Sequence, residues 1–249
     1  DWGPVVSFGT DFYLDTDVRW LTTDETLISS FFDTETLIAP NVHSYRILAA
    51  DLDLDGDQDL LYSSSYSTGA CYNQSSGSSW NLFSLFAGPQ SIWYFGVSDI
   101  NGDGYQDVTA SQWGNVIWLE NPGVPQGNWN VHAAPYTLSC NMGLPADLDN
   151  DGDYDLVGRT NMYTLRWYEN LDGTGDLWEE KLISTVDEID LYTMSDFNGD
   201  GLCDIAATRN IPGHVIWLEH PPPGSNDWIY HGITTSFNRP SEIVSVDID

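Results

Sequence analysis

Four nine-residue segments carry oxygen-bearing side chains at their first, third, fifth and ninth positions. They are Asp51, Asp53, Asp55 and Asp59; Asp99, Asn101, Asp103 and Asp107; Asp147, Asp149, Asp151 and Asp155; and Asp196, Asn198, Asp200 and Asp204. The sixth position is always glycine (Gly56, Gly104, Gly152, Gly201), which accepts the backbone of a sharp turn without steric cost. Such a ladder places alternate oxygens on one concave side of a tight loop. Without a counterion, carboxylates a few ångströms apart repel by about a kilocalorie per mole or more per pair. Hard oxygen donors on a pliable loop suit Ca²⁺, which takes roughly six to eight oxygens, whereas Mg²⁺ keeps more water and zinc favours His or Cys. An EF-hand would need a bidentate Glu at the twelfth position. Tyr62, Ala110, Gly158 and Ala207 stand there instead.

The elements that hold these loops repeat with them. The loops start 48, 48 and 49 residues apart, and Asp247-Ile-Asp249 opens a further copy 51 residues on. Trp118, Trp167 and Trp217 keep the same beat, as do Trp129, Trp178 and Trp228, with Trp80 their counterpart in the preceding repeat. A period of this length marks propeller blades or helical solenoid units. The stretches between loops are short and rich in β-branched and aromatic residues, with Gly, Pro, Asn and Ser at the joints; they read as strands. Four strands per repeat make a blade. The sequence therefore predicts an all-β, five-bladed β-propeller of four-stranded antiparallel blades over residues 1–249, a single domain with the acidic loop between the first two strands of each blade. The blades run 41–88, 89–137, 138–187 and 188–240. A closing blade combines residues 1–40 (strands at Pro4–Phe8, Asp17–Thr22 and Leu27–Phe32, with Trp20 in the repeating Trp position) with a last strand in residues 241–249. The rival reading is a fragment of a six- to eight-bladed ring.

The Asp-x-Asp/Asn-x-Asp-Gly-x-x-Asp loops, followed by a Trp-Leu/Tyr-Glu-Asn/His strand, resemble the calcium-binding β-propellers with FG-GAP or VCBS-type repeats, found in integrin α-subunits and certain lectins. The resemblance implies about four Ca²⁺ ions, one per complete loop, held by the side chains at positions 1, 3, 5 and 9 and the backbone carbonyl at position 7. Those carbonyls belong to Asp57, Tyr105, Asp153 and Leu202. The closing blade departs from the pattern, since Asp247 and Asp249 alone are present there and a contribution from Asp1 is open.

The formal net charge is −31, with a single lysine, Lys181. That excludes a nucleic-acid binder, which needs a basic face, and an anionic membrane surface would repel the chain. No apolar run approaches the length of a membrane span. The first residue is Asp rather than Met, which reads as a processed protein or a part of one. Cys71, Cys140 and Cys203 match neither a disulfide framework nor a zinc spacing.

Catalysis needs a group that breaks the repeat, and few groups do. His214 and His220 fall where asparagines stand in other repeats, and His132 and His231 fall where Lys181 stands; Glu120, Glu169 and Glu219 are equivalent to one another. Only His43 lies outside the pattern, without an evident partner. No catalytic site is expected. Trp2, Trp93 and Trp113 lie off the repeat, and Trp113 and Trp93 are the candidates for stacking on a sugar. The Asn73-Gln-Ser75 sequon would matter in a eukaryotic secretory setting. The expected function is a non-catalytic, extracellular Ca²⁺-binding propeller in adhesion, lectin-like glycan binding, protein binding or surface assembly. Self-association into a filament or sheath, and a propeller-type polysaccharide lyase or hydrolase, are the alternatives.

Overall fold

The computed structural model describes residues 18–22, 34–39, 44–64, 67–74, 77, 79–87, 92–112, 114–125, 127–133, 140–160, 164–184, 188–209, 213–234 and 243–246. The chain divides into two compact units, Asp1–Trp93 with Pro122–Asn128, and Tyr94–Asn121 with Trp129–Asp249.

In the first unit, β1 (Val18–Thr22) pairs antiparallel with β2 (Thr34–Ala39) as a two-stranded sheet. A four-stranded meander follows: β3 (Ser44–Ala50), β4 (Asp59–Ser64), β5 (Ser67–Gln74) and β6 (Ser79–Ala87). Three further meanders follow, all in the second unit save Ile92 and Trp93, which belong to the first. They are β7 (Ile92–Ser98), β8 (Asp107–Gln112), β9 (Asn115–Glu120) and β10 (Asn130–Ala133); β11 (Cys140–Ala146), β12 (Asp155–Thr160), β13 (Leu165–Asn170) and β14 (Trp178–Ser184); and β15 (Ile189–Ser195), β16 (Asp204–Arg209), β17 (His214–Glu219) and β18 (Ile229–Thr234). The described residues contain no helix, so no helix is long and apolar enough to cross a membrane.

Burial explains the strand chemistry. Second strands are covered on both faces: all six residues of β4 are buried, as are the first five of β12 and of β16. They accordingly read as near-continuous small and apolar runs rather than alternating ones. Of the fourth strands, which lie at sheet edges, β10 and β18 stay wet with no fully buried residue, whereas β14 buries Trp178 and Ile183. Between the second and third sheets, Ile100, Val116 and Trp118 pack against Leu156, Tyr168 and Trp178. Between the third and fourth, Leu148, Val157 and Leu165 pack against Ile189, Ile205 and Leu218. Each such fully buried side chain contributes about 1.5–3 kcal/mol. The second and third sheets approach so closely that a Cβ on Gly143 would lie 2.6 Å from Val116 Cγ1.

Five blades closed between the termini is overturned. Among the described residues there are four four-stranded sheets and no fifth. The strand expected at Asp17–Thr22 is present as Val18–Thr22, but it pairs with β2 in a sheet of two strands rather than four. The proposed last strand is described at 243–246 and forms no ladder. Ile243 packs on the apolar core of the second unit, and Ser245 touches Thr193 Oγ1 at 3.4 Å and the Met194 carbonyl at 3.5 Å, while Val244 and Val246 stay exposed. Phe197, second in the fourth loop, is 42% exposed where Leu52, Ile100 and Leu148 at the same position are at most 1%. The expected strands at 4–8 and 27–32, and Asp247 and Asp249, lie outside the described residues.

Candidate metal centres

All four acidic segments join the first strand of a sheet to the second, as the spacing predicts, with the ninth-position aspartate opening β4, β8, β12 or β16. The four share one hydrogen-bond skeleton. The first-position carboxylate accepts the N–H of the sixth-position glycine: Asp51 from Gly56 at 3.0 Å, Asp99 from Gly104 at 2.8 Å, Asp147 from Gly152 at 3.2 Å, Asp196 from Gly201 at 2.9 Å. The fifth-position carboxylate accepts the N–H two residues on, from Asp57, Tyr105, Asp153 or Leu202, at 2.8–3.1 Å. The glycine is obligatory, with φ between 86° and 100°. The fourth position is left-handed too, at Leu54 (φ 60°), Gly102 (71°), Asn150 (62°) and Gly199 (78°), a second constraint that the varied residue types there conceal.

The ninth-position aspartates are the most buried members, at 0% exposure for Asp59, Asp107 and Asp204 and 1% for Asp155. One oxygen of each accepts the N–H of the loop's second residue, from Leu52, Ile100, Leu148 or Phe197, at 2.9–3.1 Å. The other accepts an N–H from the end of the third strand or just beyond it: Asn73 at 2.7 Å, Asn121 at 2.8 Å, Asn170 at 2.9 Å, His220 at 2.8 Å. Each carboxylate thus ties the loop to a strand about fifteen residues away in sequence. Burial raises Asp59 to about 6 and Asp107 and Asp155 to about 7; neighbouring loop carboxylates add to the rise and the backbone N–H groups oppose it.

The asparagines that donate those N–H groups are themselves clamps. Asn73, Asn121 and Asn170 direct their side-chain amides at the carbonyls of Gln58 (3.2 Å), Gln106 (3.0 Å) and Tyr154 (3.4 Å), the eighth residues of the three loops. Asn170 also donates to the Ile100 carbonyl at 3.0 Å and accepts from Gly175 N–H at 3.0 Å. Their role was hidden in the sequence, although their recurrence is plain there. Asn73, 4% exposed and held in this way, has no free amide for a glycan, which removes the sequon as a modification site of the folded chain.

The loops differ at the third position. One carboxylate oxygen each from Asp51, Asp53 and Asp59 come within 4.8 Å of one another, and so do oxygens of Asp147, Asp149 and Asp151. In these two loops Asp51 Oδ1, Asp53 Oδ1, Asp147 Oδ1 and Asp153 Oδ1 are shielded from water and have no hydrogen-bond partner. A buried oxygen of an acid without a donor is costly, and an oxygen-liganded divalent cation answers that need. Burial and the adjacent loop carboxylates also raise Asp53, Asp149 and, to about 6, Asp153.

The histidines form a repeated motif. His132 stacks on Trp118 with ring centroids 4.0 Å apart and hydrogen-bonds Glu120 at 2.9 Å. His231 stacks on Trp217 at 4.2 Å and meets Glu219 at 2.6 Å. Lys181 stands over Trp167 at 4.2 Å and pairs with Glu169. Cross-strand register aligns the three, Trp118 opposite His132, Trp167 opposite Lys181 and Trp217 opposite His231. Of the sugar-stacking candidates, Trp93 falls in β7, and Trp113 lies outside the described residues.

No protein-family model matches the chain, and no curated protein matches it. Among solved structures it is similar to a lectin of Agrocybe aegerita that recognises non-reducing terminal N-acetylglucosamine, with a TM-score of 0.62 at 15% identity. The likeness covers 90% of this chain and 62% of that one, so the chain spans less than two thirds of the lectin's length. The likeness is one of fold.

Proposed function

We propose that this chain is a non-catalytic glycan-binding protein whose acidic loops take up Ca²⁺, working in an extracellular, calcium-rich setting. The cation reading is carried by the shielded, partnerless carboxylate oxygens of Asp51, Asp53 and Asp147. Glycan binding is supported by the fold held in common with a lectin. The FG-GAP/VCBS-type assignment supports the same ligand set: side chains at positions 1, 3, 5 and 9 with the carbonyls of Asp57, Tyr105, Asp153 and Leu202. A bound cation would supply the positive charge that lets these carboxylates face one another. The chain's own contribution is the rigid frame, since the N–H groups of the sixth and seventh residues fix the carboxylates of the first and fifth.

Weak extracellular-type sites have dissociation constants of about 10⁻⁴–10⁻³ M. At millimolar Ca²⁺, even a site of about 10 µM adds roughly 3 kcal/mol by mass action. Two measurements test the reading. Excess EGTA should lower the melting temperature by many degrees, and an unchanged melting curve refutes the calcium part. A glycan array in Ca²⁺ buffer, with terminal N-acetylglucosamine as the first probe, should give saturable binding; a blank array refutes the lectin part.

A second reading, a self-associating structural subunit, is favoured by apolar residues left exposed on the outer strands. Val131, Leu182, Ile229, Tyr230 and Ile233 are each at least 42% exposed. Sedimentation with and without Ca²⁺ separates it from a monomeric binder.

A further inference from the structure

The four loops look equivalent in sequence, yet their oxygens are used differently, and the third residue decides how. Where that residue is asparagine, the loop satisfies itself. Asn101 Oδ1 accepts the Asp103 N–H at 3.0 Å and Asn101 Nδ2 donates to Asp103 Oδ2 at 3.2 Å. Asn198 repeats both bonds with Asp200, at 2.9 Å each. The first-position aspartate closes the ring: Asp99 Oδ1 and Asp196 Oδ1 take the fifth-residue N–H at 3.0 and 3.2 Å. With the skeleton bonds, both oxygens of the first and of the fifth carboxylate then have donors. Where the third residue is aspartate, the corresponding oxygens, Asp51 Oδ1 and Asp147 Oδ1, are shielded and unpaired, as is Asp53 Oδ1.

The charges beside the loops vary from sheet to sheet. Asp149 meets a further carboxyl, Glu169, and that glutamate is held by Lys181, the chain's one lysine. The sheets with an asparagine loop place His132 and His231 there instead, and Glu219 receives the Asn198 amide at 3.5 Å. In the first sheet Tyr72 occupies the glutamate's place, so Asp53 meets no carboxylate from that position.

We propose that the third loop residue sorts the loops into two classes: those of Asp53 and Asp149 are the tight cation sites, and in those of Asn101 and Asn198 the asparagine amide takes the place of the cation. This rests on the cation reading above and refines its stoichiometry from four equal ions to two tight ones. The Asp loops offer one more carboxylate each, and ligand charge count sets affinity in oxygen-only sites.

The test is calorimetric titration of Ca²⁺ into the full chain stripped by chelator, with circular dichroism to verify folding. Two tight sites are expected, about tenfold or more stronger than any others. Asp53→Asn and Asp149→Asn should each remove one. Asn198→Asp, at an exposed position that tolerates substitution, should add one, and so should Asn101→Asp. Four equivalent sites, or an unchanged tight-site count in Asn198→Asp and Asn101→Asp, overturn the division and leave the cation reading standing. Absence of any calcium heat overturns both.

Discussion

Asp59, Asp107 and Asp155 give the ion-free protein an inverted pH response. Their carboxyls are carried from 3.8 in the unfolded chain to about 6 at Asp59 and about 7 at Asp107 and Asp155, chiefly by burial. A group whose folded value is raised stabilises the fold fully below its unfolded value, and that stability is lost as pH rises through the folded value. One unit corresponds to about 1.4 kcal/mol, so Asp107 and Asp155 each remove on the order of 4 kcal/mol between pH 4 and pH 8, and Asp59 somewhat less. At roughly 2–4 °C per kcal/mol for a chain of this size, the melting temperature in EGTA should fall by roughly 10 °C or more between pH 5 and pH 8. In millimolar Ca²⁺ the slope should flatten or reverse, because the liganded state needs the carboxylates ionised. Thermal unfolding followed by circular dichroism across that range, in both buffers, measures it. A melting temperature in EGTA that holds level or climbs from pH 5 to pH 8 refutes the reasoning.

Other substitutions probe the frame. Asn170→Ala removes a fully buried clamp on Tyr154, Ile100 and Gly175 and should cost about 2–4 kcal/mol, since each stranded buried group costs about 1–3 kcal/mol; urea unfolding in EGTA checks it. Leu54→Asn should stabilise by about 0.5–1 kcal/mol, because a left-handed leucine is strained where asparagine is tolerated, and the denaturation midpoint should rise without a change in slope. Gly143→Ala drives a methyl into Val116 and should cost about 1–3 kcal/mol, read as a drop in melting temperature in either buffer.

Much of the site was legible because repetition exposes constraint. An aspartate ladder with an invariant glycine locates each loop between two strands, and the Trp spacing fixes the register that sets Trp118 against His132. What escaped was carried by backbone. Leu54 and Asn150 share a left-handed φ with two glycines, which residue type alone does not betray at Leu54. The clamping by Asn73, Asn121 and Asn170 depends on carbonyls about fifteen residues away. The closing blade failed for a related reason: the β-branched residues Ile243, Val244 and Val246 state that a strand could form, whereas pairing depends on what lies alongside. There the neighbour is β15, met through Ser245 rather than through a ladder.

The carboxylate that grips the amide of Asn73, Asn121, Asn170 or His220 supplies an anchor where strand pairing has run out or is about to. Those four protons should therefore exchange with deuterium slowly, each at the pace of its own loop's opening. A single spectrum would then report separately on four turns that calorimetry sees only as a sum.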